Sequence, residues 1–154
     1  MNYLLDTNVI SAIAPTKRDR PVALARWLDQ ASEGLYISVV TVAEIRDGIA
    51  KLSREGASGK AASLAHWWSV AEHLYGDRML PFDLATATAA GAVSDKASGG
   101  GHAPGFADIA IAATAQVHGL TILTRNIRHF APTGIAALDP FDTLPPLPGG
   151  AMSS

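Results

Sequence analysis

The chain of 154 residues contains no cysteine. That excludes disulfides and thiolate metal sites and agrees with a reducing, cytoplasmic home. No apolar run approaches the roughly 20 residues that cross a bilayer. No basic stretch leads into an apolar one at the N-terminus, so neither a spanning helix nor a signal peptide is expected. Strong charge of one sign is missing as well. With a formal net charge of −2, the whole-molecule field does not announce a nucleic-acid binder, and contact with RNA or DNA needs a local basic patch or a metal ion. Neither an internal repeat nor a histidine–cysteine cluster of zinc-binding spacing is present.

What is there reads as one globular domain. Hydrophobic residues make up 48% and charged residues 17%, enough to bury a proper core. Apolar runs at Tyr3–Leu5, Leu35–Val40, Met79–Phe82 and Leu120–Leu123 predict strands, with a weaker fifth at Ile135–Leu138. Helical spacing fills the intervals at Pro21–Ala31, Thr41–Arg54, Ser58–Tyr75, Asp83–Ala97 and Phe106–His118, with Thr41 and Glu44 spaced like a capping box. Alternation of this kind predicts an α/β fold in three layers: a central, mostly parallel sheet of four to five strands, flanked by helices, with a helical hairpin after the second strand. The glycine-rich stretch Ser98–Gly105 reads as a flexible loop. The Pro/Gly-rich residues 143–154 read as a disordered tail behind a domain of residues 1–142.

Chemistry-bearing residues gather on one edge of such a sheet. Carboxyl ends of parallel strands and amino ends of the helices between them share that edge, where ligands bind. Asp6 follows the first strand, Glu44 lies in the first turn after the second, Asp108 opens the apolar helix, and Thr124-Arg125-Asn126 follows the fourth strand. Three converging carboxylates repel one another unless a cation lies between them. An oxygen-only ligand set selects a hard ion, Mg²⁺ or Mn²⁺, which suits phosphodiester hydrolysis. Each residue also has a plainer use. Asp6 can cap a helix beginning near Asn8, Glu44 can complete the box with Thr41, and Asn126 can cap a turn at 126–130. Asp108, amid Ile109, Ile111 and alanines, needs a helix terminus or a partner.

Other polar residues read more simply. Asp83 reads as a helix cap, Asp139 and Asp142 as turn residues, and His66, His73 and His118 as surface or structural histidines. His102, in the glycine loop, is a possible but unsupported substrate contact. Trp67 and Trp68 read as packing or subunit contacts. Lys17, Arg18, Arg20, Arg46, Arg125 and Arg128 are either phosphate contacts or ordinary solvated surface.

Four segments in order resemble the PIN-domain ribonucleases: Leu4-Leu5-Asp6-Thr7-Asn8, Ser38 to Ile45 with Gly48-Ile49, Asp108 to Ala115, and Leu123-Thr124-Arg125-Asn126 with Phe130, Gly134 and Leu138-Asp139-Pro140-Phe141. The pattern is similar to the VapC toxins of bacterial toxin–antitoxin pairs, particularly the FitB-like branch. The resemblance implies a Mg²⁺- or Mn²⁺-dependent endoribonuclease, a homodimer, and a small antitoxin that docks on the helical hairpin and blocks the site. It places the metal on Asp6, Glu44 and Asp108, makes Asn126 a fourth catalytic position, and offers Thr7, Asn8, Thr124 and Arg125 as substrate contacts. His129 departs from the pattern, standing where an Asp is common. Two other functions stay open on the sequence. One is a receiver-like phosphoacceptor built on Asp6 and Asp83, though no adjacent acidic pair is present and no lysine follows Lys96. The other is a PIN scaffold that binds without catalysis.

Overall fold

The computed structural model describes residues 1–149. Strands β1 (Tyr3–Leu5), β2 (Leu35–Ser38), β3 (Met79–Leu80), β4 (Thr121–Leu123) and β5 (Ala137–Leu138) form one parallel sheet in the order β3-β2-β1-β4-β5. Among the described residues seven α-helices surround it: α1 (Thr7–Ala12), α2 (Val22–Ala31), α3 (Val39–Arg54), α4 (Ser58–Tyr75), α5 (Leu84–Gly99), α6 (Phe106–His118) and α7 (Ile127–Phe130). The expected three-layer α/β architecture is therefore present, including the helical hairpin α3–α4.

Successive strand side chains point to opposite faces, and this alternation divides the core. Tyr3, Leu5, Leu35, Ile37 and Leu123 pack against Val9 and Ile10 of α1, Trp27 and Leu28 of α2, Ile45 of α3 and Trp68 of α4. Leu4, Leu80 and Ile122 face the other way, onto Val93 of α5, Ile109 and Ile111 of α6, and Phe130 of α7. Every residue of α6 from Ile109 to Ala115 is buried. A helix apolar on all sides belongs in the middle of a layer, and its alanines let α5 lie close, through Ala90, Val93 and Ala97.

Element ends depart from the sequence expectation for local reasons. The second strand stops at Ser38, not Val40, because the Ser38 hydroxyl accepts the Val40 N–H at 3.1 Å and starts α3 there. Thr41 is consequently not a cap: it is fully buried inside the helix, and Glu44 falls in the second turn, not the first. The third strand ends before Pro81, which has no N–H for a ladder. Leu120 is lost to β4 because its N–H closes α6 onto the Ala115 carbonyl at 2.9 Å. That closure depends on Gly119 at φ 65°, in the left-handed region. The last strand is shortened to Ala137–Leu138.

The Pro-rich end is a further correction. Up to Pro148 it lies against the domain: the Tyr3 hydroxyl donates to the Pro146 carbonyl at 2.7 Å, the Trp27 indole N–H donates to the Pro145 carbonyl at 2.9 Å, and Pro148 sits against Gly34. Disorder was expected over the whole of residues 143–154, and residues 150–154 lie outside the described part. The strand order reverses between β1 and β4, which makes their carboxyl ends the topological switch point where open α/β sheets bind ligands. Asp6 and Thr124 stand immediately after those two strands, tied by the Asp6 N–H to the Leu123 carbonyl at 2.9 Å.

Candidate active site at the carboxyl edge of the sheet

Asp6 is the most enclosed acid there, 7% exposed. One carboxylate oxygen accepts the Thr7 N–H at 2.8 Å, so the residue does cap α1. The other accepts from the Thr124 hydroxyl at 2.8 Å and from the Asn8 side-chain amide at 3.3 Å. Despite those donors, its carboxyl is pushed up, first by burial and further by the charge of Asp108. Asp108, in the first turn of α6, is pushed up as well, first by burial and then by the charge of Glu44. His129 acts the other way on both, with its Nδ1 3.4 Å from Asp108 Oδ2. Glu44 is exposed, and its Oε1 accepts the Thr7 hydroxyl at 2.6 Å.

Asp6 thus feels the charge of Asp108, and Asp108 that of Glu44. The three acids do not form a finished cage. Among the described residues no group of three or more His, Cys, Asp or Glu is arranged to hold a metal ion. The donor set nonetheless fits Mg²⁺ or Mn²⁺. It is all oxygen, it carries unneutralised repulsion, and Mg²⁺ is ordinarily held by one or two carboxylates with the rest of its shell in water.

The other expected site residues divide into supports and free groups. Thr124 is fully buried. Its oxygen donates to Asp6 and accepts the Asn126 N–H at 2.9 Å, so it holds the site together and has no face for substrate. Asn8 is committed too: its amide reaches Asp6 and Thr124, and its carbonyl accepts the Arg125 N–H at 3.1 Å. Thr7 is committed to Glu44, with the Thr41 hydroxyl 3.1 Å away. Asn126 makes no hydrogen bond to the three acids among the described residues and opens into a neighbouring hollow with Arg125, Arg128 and His129. Asp83 caps α5 through the Thr86 N–H at 3.0 Å, which holds its carboxyl below the usual range, and it takes no part in the site.

A match to the PIN domain spans residues 3–134. The chain belongs to the PIN-domain family. Within it the chain sits with the VapC and FitB toxins. It is 36% identical over 142 residues to VapC ribonuclease Y4jK of Sinorhizobium fredii, covering 90% of this chain and 97% of that one. It is 38% identical over 143 residues to Toxin FitB of Neisseria gonorrhoeae, with 90% and 97% covered. The crystal structure of FitAcB from Neisseria gonorrhoeae superposes with a TM-score of 0.80 at 35% identity, over 90% of this chain and 98% of that one. Membership of the PIN family removes the receiver reading. Sequence reasoning named Thr124 as a substrate contact and His129 as a departure from the pattern, and missed the contacts they make: Thr124 as the donor to Asp6, and His129 as the neighbour of Asp108. A polar residue directly behind an apolar strand at the switch point was the available signal for the first.

Proposed function

We propose that the protein is a Mg²⁺- or Mn²⁺-dependent endoribonuclease that acts in the cytoplasm as the toxin of a toxin–antitoxin pair. The observation that carries this reading is the placement of Asp6, buried behind β1, and Asp108, in the first turn of α6, at the switch point, where burial and a neighbouring acid push both carboxyls up. Asp6 and Asp108, with Glu44 alongside, are the residues that would hold the metal. A divalent cation bound there supplies an ionisable water and positive charge for hydrolysis of an RNA phosphodiester. Thr124 and Asn8 fix the Asp6 carboxylate, and Thr7 turns Glu44 toward the same edge. Two relatives named as a VapC ribonuclease and a toxin support the substrate class and the role.

The test is direct. Purified without partner, the protein is expected to cut RNA in Mn²⁺ and to stop in EDTA. Intact RNA in both would make the chain a silent PIN binding module, the reading that the His129 departure keeps open.

The expected antitoxin has a surface to fit. A hollow of about 270 Å³ runs from Thr7 and Glu44 past Ile45 and Leu64 to Trp67. A second, of about 380 Å³, continues from Trp67 past Val70 and Leu74 to Tyr75. An apolar partner segment lying here ends beside Glu44, where it blocks the site. Val70→Glu with Leu74→Glu, both at exposed positions, is expected to weaken capture of the co-expressed antitoxin at least tenfold in a pull-down while melting stays unchanged. Undiminished capture would move the antitoxin elsewhere. The homodimer we assign to the apolar face of Leu84 and Phe106, 83% and 68% exposed, where Phe82 packs edge-on against Phe106 at 5.6 Å.

A further inference from the structure

Three hollows join along the site from Asp108 to the loop after α1. The first, about 290 Å³, contains Asp108, Arg128 and His129. The second, about 470 Å³, shares Arg128 and His129 with it and adds Arg125. The third, also about 470 Å³, shares Arg125 with the second and reaches Lys17, Arg18 and Phe141. Each is of small-molecule size, and the shared residues make them one path leading out from the acids. Although the chain's net charge is −2, four permanent cations line that path. None of Lys17, Arg18, Arg125 and Arg128 is paired with a carboxylate among the described residues, and all four are exposed. Arg20, by contrast, is spent on the Ile13 carbonyl at 2.8 Å, and Arg46 on Glu72 across the hairpin.

Arg125 has a second property. Its guanidinium lies over the Phe141 ring, 3.8 Å from the centroid, and its backbone is pinned by Asn8. Asp139, which lines the same stretch, turns a carboxylate oxygen to the Phe141 N–H at 2.8 Å and so helps hold the ring. The outer face of the guanidinium is left as a planar, cationic platform, a surface on which an unpaired base stacks. Unpaired bases belong to single strands. A duplex offers only its backbone to such a path and keeps its bases from the platform.

We propose that Lys17, Arg18, Arg125 and Arg128 form a track that carries single-stranded RNA away from the Asp6–Asp108 site, with Arg125 on Phe141 as the base platform. This rests on the nuclease reading above. RNA leaves along α7 and the loop after α1, and the track meets the hairpin groove at Lys17, which lines both.

The experiment is binding of fluorescent RNA by anisotropy, with Asp108→Asn protein in Mg²⁺ so that the oligonucleotide stays whole, at several salt concentrations. Each phosphate neutralised on a single strand contributes about 0.7 to the slope of log affinity against log salt. Filling four cations therefore gives a slope near −3. Lys17→Glu with Arg18→Glu is expected to weaken binding at least tenfold and to bring the slope to about −1.5. Arg125→Lys keeps the charge but loses the platform, and is expected to weaken binding severalfold with the slope unchanged. Equal binding by all variants, or tighter binding of duplex than of single-stranded RNA, overturns the track. Cleavage by the wild type in Mn²⁺ is read in parallel. Cutting with no defect in the binding variants rejects the track alone, while binding without cutting rejects the nuclease and keeps the track.

Discussion

Asp108→Asn is expected to silence cleavage and, at the same time, to make the metal-free protein more stable. The carboxyl of Asp108 is pushed up by burial and by the charge of Glu44, and His129 only partly offsets this. A carboxyl whose pKa is higher folded than unfolded contributes stability that is fully present below the unfolded value and is lost as the pH rises through the folded one. At neutral pH the ionised Asp108 therefore opposes folding, in spite of its favourable place in the first turn of α6. Asparagine keeps the shape and removes the charge. In EDTA at pH 7 the variant is expected to melt about 1–2 °C above wild type, the shift that roughly half a kcal/mol gives at this chain length. The same sign predicts that the wild type gains stability from this group between neutral pH and the carboxylate range, and that the variant does not. Mn²⁺ should raise the wild-type midpoint by binding only the folded state and leave the variant nearly unmoved. Cleavage should fall at least about a hundredfold, more than the loss of a supporting residue costs. A variant that melts below wild type in EDTA and still cuts would remove Asp108 from the metal site.

This trade between stability and chemistry is typical of a functional edge, and it bears on what the sequence could tell. Helix α6 was legible to the residue, because its apolar run is bounded by Gly105 and Gly119. Strand positions were legible too, since short apolar runs between helical segments have one place to go. Their ends were not. At Ser38 a side-chain cap overrides two β-branched residues that read as strand, and at Leu120 a backbone N–H is claimed by the preceding helix. That Asp6, Glu44 and Asp108 share one edge followed from topology alone, but their local partners did not. Thr7 reaches Glu44 across 37 positions and Thr124 reaches Asp6 across 118, distances over which no periodicity runs. The Pro-rich end misled for the opposite reason. It has no pattern, yet proline carbonyls are good acceptors, and the buried bodies of Tyr3 and Trp27 present polar tips that need them.

Thr124→Val is expected to damage both the fold and the reaction, and the way it does so separates a positioning residue from a passive one. Valine fills the same volume without the hydroxyl. It leaves Asp6 without its 2.8 Å donor and the Asn126 N–H without its acceptor at a fully buried position. An unsatisfied buried group costs about 1–3 kcal/mol, which lowers the melting midpoint by several degrees in a domain of this size. The hydroxyl is also the largest influence holding the raised Asp6 carboxyl down. Without it Asp6 binds its proton more tightly in the folded state, so the stability deficit is greatest at neutral pH and shrinks as the pH falls through the Asp6 value. The acidic limb of the cleavage rate against pH should move to higher pH, and the rate at neutral pH should fall about 10–100-fold, as for other residues that orient a metal ligand. Thr124→Ser retains the donor and is expected to keep the wild-type pH profile and the rate within a few-fold. A purely structural threonine would lower the melting point and leave the acidic limb where it was. That result, or full activity in the valine variant, would detach Thr124 from the chemistry at Asp6.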